Sequence, residues 1–293
     1  MTEIIRKRLA GYGLTDAIHE QQALNETLQS IALYGLWRVD FFSVAAFQGG
    51  TALRILYGLP RFSEDLDFIC KRPTPDFRWA DYSDGLLGVL AEYGVHCEFV
   101  DRARADGAVR AAFLKDDSIA GQLEFSYVGA GRRPKQKVKL EIDTNPPAGS
   151  GWDFRFVDFP LDFEVCAQDL SSNFALKLHA LLCRPYTKGR DWFDFAWYCR
   201  QRLAPNLKLL ANALNQTGPW AGRNVAVDAD WLAAALDERI QSIDWTAAKG
   251  DVSLFLRPIE QPGLNLWDTA FFGEKVRILT EIIGGAGLRK NSV

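Results

Sequence analysis

The 293-residue chain has only three histidines, His19, His96 and His179, which disfavours a histidine-rich metal centre. Its five cysteines, Cys70, Cys97, Cys166, Cys183 and Cys199, are odd in number and scattered, with no Cys-x-x-Cys pair. That spacing argues against a disulfide framework or a zinc site and suits free thiols in a reducing compartment. Nowhere do 18 apolar residues run uninterrupted, and no long apolar core follows the charges of the first ten residues. A soluble, cytoplasmic protein is therefore expected. Two glycine-rich nucleotide motifs are missing as well. There is no Gly-x-x-x-x-Gly-Lys-Ser/Thr, and Gly129-x-Gly131 stops short of Gly-x-Gly-x-x-Gly. His96-Cys97-Glu98 begins like a zinc-deaminase signature, but no Pro-Cys-x-x-Cys follows. Positive charge is not in excess either, since 34 Lys and Arg against 37 Asp and Glu leave a net charge of −3. Contact with a polyanion would need a local basic patch.

What is present is concentrated in residues 47–68, where Gly49-Gly50-Thr51 precedes Arg61-Phe62-Ser63-Glu64-Asp65-Leu66-Asp67-Phe68. Glycines at the end of a strand allow close backbone approach to a phosphate, and a helix starting there points N–H groups at an anion. Side chains alternate along a strand, so Asp65 and Asp67 share a face, roughly 6 to 7 Å apart by the strand rise. Two such carboxylates suit Mg²⁺, which takes oxygen ligands and is usually completed by substrate phosphates.

Periodicity places an amphipathic helix over Asp16 to Tyr34 with Gly35 as its C-cap. A strand over Phe42 to Phe47 leads into a helix starting near Thr51, and Asp65 to Lys71 is the next strand. A helix follows over Asp81 to Tyr93, capped by Ser83 or Asp84. Val95 to Val100, Val109 to Leu114, Leu123 to Val128 and Val138 to Ile142 look like strands, with a hairpin turn at Gly129 to Gly131. Phe154 to Cys166, broken by Pro160, resists assignment. Beyond it the texture turns helical, over Ser171 to Arg184, Asp191 to Arg200, Leu207 to Leu214, Asp228 to Ile243 and Leu266 to Ile283, with a lone strand signal at Val252 to Leu256. The fold class expected is α+β, a mixed sheet with flanking helices over residues 1–166 and a mainly helical domain over 167–293.

A third acid is available on Lys137 to Asp143, where Val138, Leu140 and Ile142 take one face and Lys139, Glu141 and Asp143 the other. Beside the Asp65 strand, Glu141 or Asp143 would complete an acidic triad, Glu141 being better flanked by apolar residues. In a two-metal site that acid holds the ion activating the attacking hydroxyl. The basic run Arg132 to Lys139, with Lys71 and Arg72, offers a surface for an RNA backbone or is merely solvated.

These motifs resemble the AbiEii/AbiGii toxin family of nucleotidyltransferases, a branch of the DNA polymerase β-like superfamily. Phe174 to Arg184 and Gly189-Arg190-Asp191-Trp192-Phe193-Asp194 are similar to the family's lysine helix and Arg-Asp-x-x-Asp motif. The resemblance implies a polymerase β-like sheet in which Gly49, Gly50 and Thr51 cradle phosphate, Asp65 and Asp67 bind Mg²⁺, and Lys177 reaches the triphosphate of an NTP. It implies a supporting role for Asp191 or Asp194. Arg61 and Ser63 match the pattern too, Arg61 binding phosphate or bracing Asp65. Lys177 and Arg184 lie seven apart on one helix face, as two cations for a nucleotide or as solvated charges. Asp191 and Asp194 alternatively pair with Arg190 or Lys188. The biology implied is that of a toxin or phage-defence protein with a cognate antitoxin and RNA, tRNA included, as acceptor. A small molecule or protein hydroxyl as acceptor, or nucleotide binding without turnover, are the rival readings. All these residues are expected to meet in one cleft between the domains.

Overall fold

The computed structural model describes residues 2–102, 107–116, 118, 127 and 136–290. The chain divides into two compact units, Met1–Pro146 with Trp152–Ala167, and Pro147–Gly151 with Gln168–Val293.

Among the described residues the first unit is built on seven strands: β1 (Ala45–Gln48), β2 (Asp65–Cys70), β3 (Cys97–Asp101), β4 (Val109–Asp116), β5 (Gln136–Asp143), β6 (Trp152–Val157) and β7 (Phe163–Gln168). Their order in the sheet is β3-β4-β5-β2-β1-β7-β6. The central pair, β2 and β5, is parallel, while β1 runs antiparallel to β2, and β4 antiparallel to both β3 and β5. Alternation explains how the centre of this sheet is held. Val138, Leu140 and Ile142 of β5 are buried, as are Leu66 and Phe68 of β2, which leaves the intervening polar residues on the opposite face.

Helices α1 (Thr2–Ala10), α2 (Ala17–Arg38), α3 (Gly49–Tyr57) and α4 (Ala80–Glu92) belong to the same unit. Asp16 caps α2, its carboxylate accepting from the Ile18 and His19 N–H groups. This helix does not end at Gly35. A Cβ on Gly35 would stand 2.6 Å from Cδ1 of Leu86 in α4, so the glycine serves close helix packing within a longer helix. The strand expected over Phe42 to Phe47 begins only at Ala45. Residues Phe41–Ser43 form a 3-10 turn instead, which brings both Phe41 and Phe42 against Phe68, with ring centroids 4.9 and 6.2 Å away. The turn admits two adjacent rings to one aromatic cluster, whereas a strand would send them to opposite faces. Nor is α4 capped by Ser83 or Asp84; it starts at Ala80, after Trp79, whose buried indole donates to the Arg110 carbonyl at 3.1 Å. The stretch Phe154 to Cys166 resolves into β6, a connection with a cis Phe159–Pro160 bond, and β7. The strand expected over Leu123 to Val128 and its hairpin turn lie outside the described residues, Tyr127 apart.

The second unit is helical: α5 (Leu170–Cys183), α6 (Gly189–Arg200), α7 (Leu207–Gln216), α8 (Ala229–Gln241), α9 (Trp245–Ser253) and α10 (Thr269–Lys290). Asp169, Asn206, Asp228 and Asp244 cap α5, α7, α8 and α9 by accepting backbone N–H groups. The core is aromatic, with Trp192 and Trp245 packed on Phe272 at centroid distances of 5.2 and 4.4 Å. Val252 to Leu256 is no strand but the end of α9 and the turn after it. Val252 and Leu256, four apart, are buried, while Leu254 between them is exposed, which is helical and not strand spacing.

All five cysteines are free thiols. Burial pushes each upward, Cys97 and Cys199 to about 12 and Cys183 to about 11. Among the described residues, no helix is long and apolar enough to cross a membrane.

Candidate active site

Parallel pairing sets Asp65 beside Lys139 and Asp67 beside Glu141, while Asp143 falls beside Ile69. Register partners on neighbouring strands carry their side chains to the same face. Asp65, Asp67 and Glu141 thus form a bent row of acids, with Asp143 one step beyond it along β5. Asp143 is half-buried, and burial raises its pKa despite the Asn145 N–H it accepts at 2.9 Å.

A cation already stands in this row. The Lys139 ammonium is 2.8 Å from Oε2 of Glu141, both side chains being about a third exposed (31% and 28%). Burial works against its charge, yet the Glu141 hydrogen bond and the charges of Glu141, Asp65 and Asp67 hold its pKa above that of an ordinary lysine. As the side chains stand, no three His, Cys, Asp or Glu among the described residues close on a common point. The donor set nevertheless fits a hard divalent cation: only carboxylate oxygens, with a lysine ammonium as stand-in ion.

The paired glycines stand at the expected strand-to-helix junction, as the first residues of α3 directly after β1, two residues before the expected start near Thr51. Gly49 has φ +77, and a Cβ there would stand 2.6 Å from Oδ2 of Asp67. A Cβ on Gly50 would collide with the Arg61 guanidinium. Both glycines therefore make room for side chains of the site itself, and the positive end of α3 abuts the Asp67 carboxylate. Thr51 is fully buried and its hydroxyl donates to the Asp65 carbonyl, tying α3 to β2. Arg61, only 2% exposed, donates to the Phe62 carbonyl at 2.9 Å. As they stand, Thr51 and Arg61 brace the site from within, and a phosphate would not reach either without rearrangement. Ser63 is half-buried, its hydroxyl 3.3 Å from where a Gly50 Cβ would lie.

The loop carrying these residues is moored to α2. Gln29 donates to the carbonyls of Ser63 and Glu64 at 3.2 and 2.8 Å. Glu26 accepts from Tyr12 at 2.8 Å and from Arg54 at 2.7 Å, and Arg54 in turn donates to the Leu59 carbonyl and lies over the Phe62 ring.

In the second unit, Lys177 is not a solvated surface charge. Its ammonium sits 2.8 Å from Asp191 and 2.9 Å from Asp194, which is fully buried. Arg184 reaches the other oxygen of Asp191 at 2.5 Å. Burial alone would raise the Asp191 pKa, but the charges of Lys177 and Arg184 prevail and lower it to about 2. Both aspartates thus pair with Lys177, and Asp191 with Arg184 as well, while Arg190 packs over Phe255 and approaches Asp251 at 4.0 Å. Lys188 is pulled down by burial and by Arg190, Lys177 and Arg184, against the pull of Asp191.

Reading the sequence singled out every acid of the row and set Lys139 on their face, but gave Lys139 a role only in the basic run and not as the partner of Glu141. The signal was the Lys-x-Glu spacing, which on a strand sets both side chains on one face. The Glu26, Arg54 and Gln29 moorings had no such signal, since they join residues distant along the chain.

A family profile, "Nucleotidyl transferase AbiEii toxin, Type IV TA system", matches residues 31–272. The crystal structure of JHP933 from Helicobacter pylori superposes with a TM-score of 0.51 at 18% identity, covering 94% of this chain and 97% of that one, which is a likeness of fold. A provisionally assigned nucleotidyltransferase from H. pylori follows at 0.48 and 19%, covering 93% and 98%. No curated protein matches significantly. The profile spans most of the chain, with the acidic row and the lysine network inside its bounds, and the protein belongs to the AbiEii nucleotidyltransferase toxin family of type IV toxin–antitoxin systems.

Proposed function

We propose that the protein is a Mg²⁺-dependent enzyme that moves a nucleoside monophosphate from an NTP to a hydroxyl of RNA, tRNA included. The acceptor oxygen bonds to the α-phosphorus, the bond to the β-phosphate oxygen breaks, and pyrophosphate leaves together with the acceptor proton. The observation that carries this reading is the placement of Asp67 and Glu141 as register partners, with Asp65 two residues before Asp67 on the same face.

Mg²⁺ held by Asp65, Asp67 and Glu141 would lower the pKa of the acceptor hydroxyl and neutralise the phosphates. The chain's own residues do the rest. Gly49 leaves space for the Asp67 carboxylate, Thr51 holds the Asp65 backbone, and buried Arg61 fills the space beside Gly50. The α3 N-terminus adds partial positive charge near the row. To the Lys177 network we assign the family role of contact with the leaving phosphates, with Asp191 and Asp194 orienting the ammonium.

The RNA reading rests on the toxin family, because the basic segment supports it little. Residues 132–135 lie outside the described ones, Lys139 is engaged by Glu141, and Lys71 donates to the Phe42 carbonyl at 2.6 Å. The partner is the antitoxin that such a system implies.

The test is incubation with labelled NTPs, Mg²⁺ and total RNA. Labelled RNA is expected, and none with Asp65→Ala or Asp67→Ala. Label on a protein or small molecule would replace the acceptor, and transfer undiminished in the two variants would overturn the carboxylate mechanism.

A further inference from the structure

Lys139 lies on the acid-bearing face of β5, two residues before Glu141 and beside Asp65 of β2. Its ammonium is bonded to Glu141 at 2.8 Å. An ion pair this exposed contributes little stability as an isolated bridge. Its setting is different, because three carboxylates on one face repel one another and each disfavours charge on the others. A single positive charge placed among them relieves that repulsion. A divalent ion bound by the same carboxylates would do so twice over, and would need the Glu141 oxygen that Lys139 now holds.

We propose that Lys139 is the resident counter-cation of the acidic row, neutralising Glu141 when no divalent ion is bound and competing with that ion for the Glu141 carboxylate. Lys139 is therefore a positioning residue that sets the threshold of divalent concentration at which the site loads. This role rests on the assignment of Asp65, Asp67 and Glu141 as ligands. It also fits the finding that no three acids among the described residues close on a common point, since Glu141 is paired with lysine.

The experiment is a titration of the full-length protein with Mn²⁺, free ion being followed by electron paramagnetic resonance, alongside thermal melts with and without Mn²⁺. Lys139→Gln is expected to bind Mn²⁺ about tenfold more tightly, by removal of one adjacent like charge from the ion's surroundings. It should also melt lower than the unsubstituted protein without metal and recover more on its addition. Lys139→Arg, which keeps the charge, should remain near the original affinity. In a Glu141→Gln background, Lys139→Gln should add less than it does alone. Unchanged or weaker Mn²⁺ binding by Lys139→Gln, while Asp67→Asn abolishes binding, overturns the counter-cation role and leaves the ligand assignment standing. Binding that Asp67→Asn and Glu141→Gln leave intact, or no binding by the unsubstituted protein, overturns both.

Discussion

Asp67 of β2 and Glu141 of β5 stand side by side across a parallel strand pair, whereas Asp143 pairs with Ile69 one step further on. This relationship separates two acids that are otherwise interchangeable in sequence. Glu141→Gln is expected to lower nucleotidyl transfer by about 10²- to 10³-fold, the size of effect seen when one group stabilising transition-state charge is removed. Asp143→Asn should lower it by less than about tenfold. Initial rates of label transfer, with circular dichroism to verify folding, decide between them, and equal losses would show that the register does not select the third acid.

Gly50 packs against the buried Arg61 guanidinium and Gly49 against Asp67. Gly50→Ala should destabilise the first unit by about 1 to 3 kcal/mol, the usual range for overpacking. Gly49→Ala adds the strain of a left-handed backbone at φ +77 to its clash. Urea denaturation measures both, and an alanine at either position with unchanged stability would refute the packing role.

The depressed pKa of Asp191 ties the second unit to pH. The folded value, about 2, lies below the ordinary 3.8, so its contribution is fully present above pH 4 and is lost as pH falls from 4 towards 2. The size is on the order of 2 kcal/mol by linkage. Stability measured between pH 5 and 2 should fall less steeply in Asp191→Asn, which has no carboxylate to protonate. Parallel curves would show that Asp191 does not carry the effect.

Lys177→Gln leaves Asp194 fully buried without its ammonium partner. Removing one side of a buried pair costs about 3 to 5 kcal/mol. The variant should unfold at much lower denaturant concentration, so its loss of activity has to be read at matched folded fraction. Activity lost with unaltered stability would make Lys177 a purely catalytic group.

Raised thiol pKa values predict slow chemistry. Native protein should react with a thiol reagent at pH 8 much more slowly than protein unfolded in guanidinium, because the thiolate is the reactive form. Fast stoichiometric labelling of Cys199 in the native state would contradict its burial.

The legible parts of the fold were those encoded locally. Alternation in Lys137 to Asp143 showed which face was apolar, and Asp-x-Asp showed two acids on one face, because a strand's period of two is written directly in neighbouring residues. Asp228 marked a helix start for the same reason. Gly35 misled, because a glycine that ends a helix and one that admits a neighbouring Leu86 look alike in one dimension. Phe42 misled because propensity favoured a strand, while the neighbouring Phe41, packed on Phe68, Phe77 and Trp79, draws the chain into a turn. Within the site, Arg61 and Thr51 were recognised by pattern, but their burial depends on partners brought by folding. Lys139 was set on the acids' face yet given a role only with its basic neighbours, although its ammonium pairs with the acid two residues on.

The position of β5 between β4 and β2 has a temporal consequence. During synthesis, β2 leaves the ribosome long before residues 136–143 exist, and until they arrive Asp67 faces an open sheet edge with no carboxylate beside it. A chain cut short anywhere before Glu141 therefore carries both aspartates and no third acid. Under the proposed mechanism a translation product that stops before Glu141 lacks the third acid and is expected to be silent, so harm would wait on the central strands of the sheet.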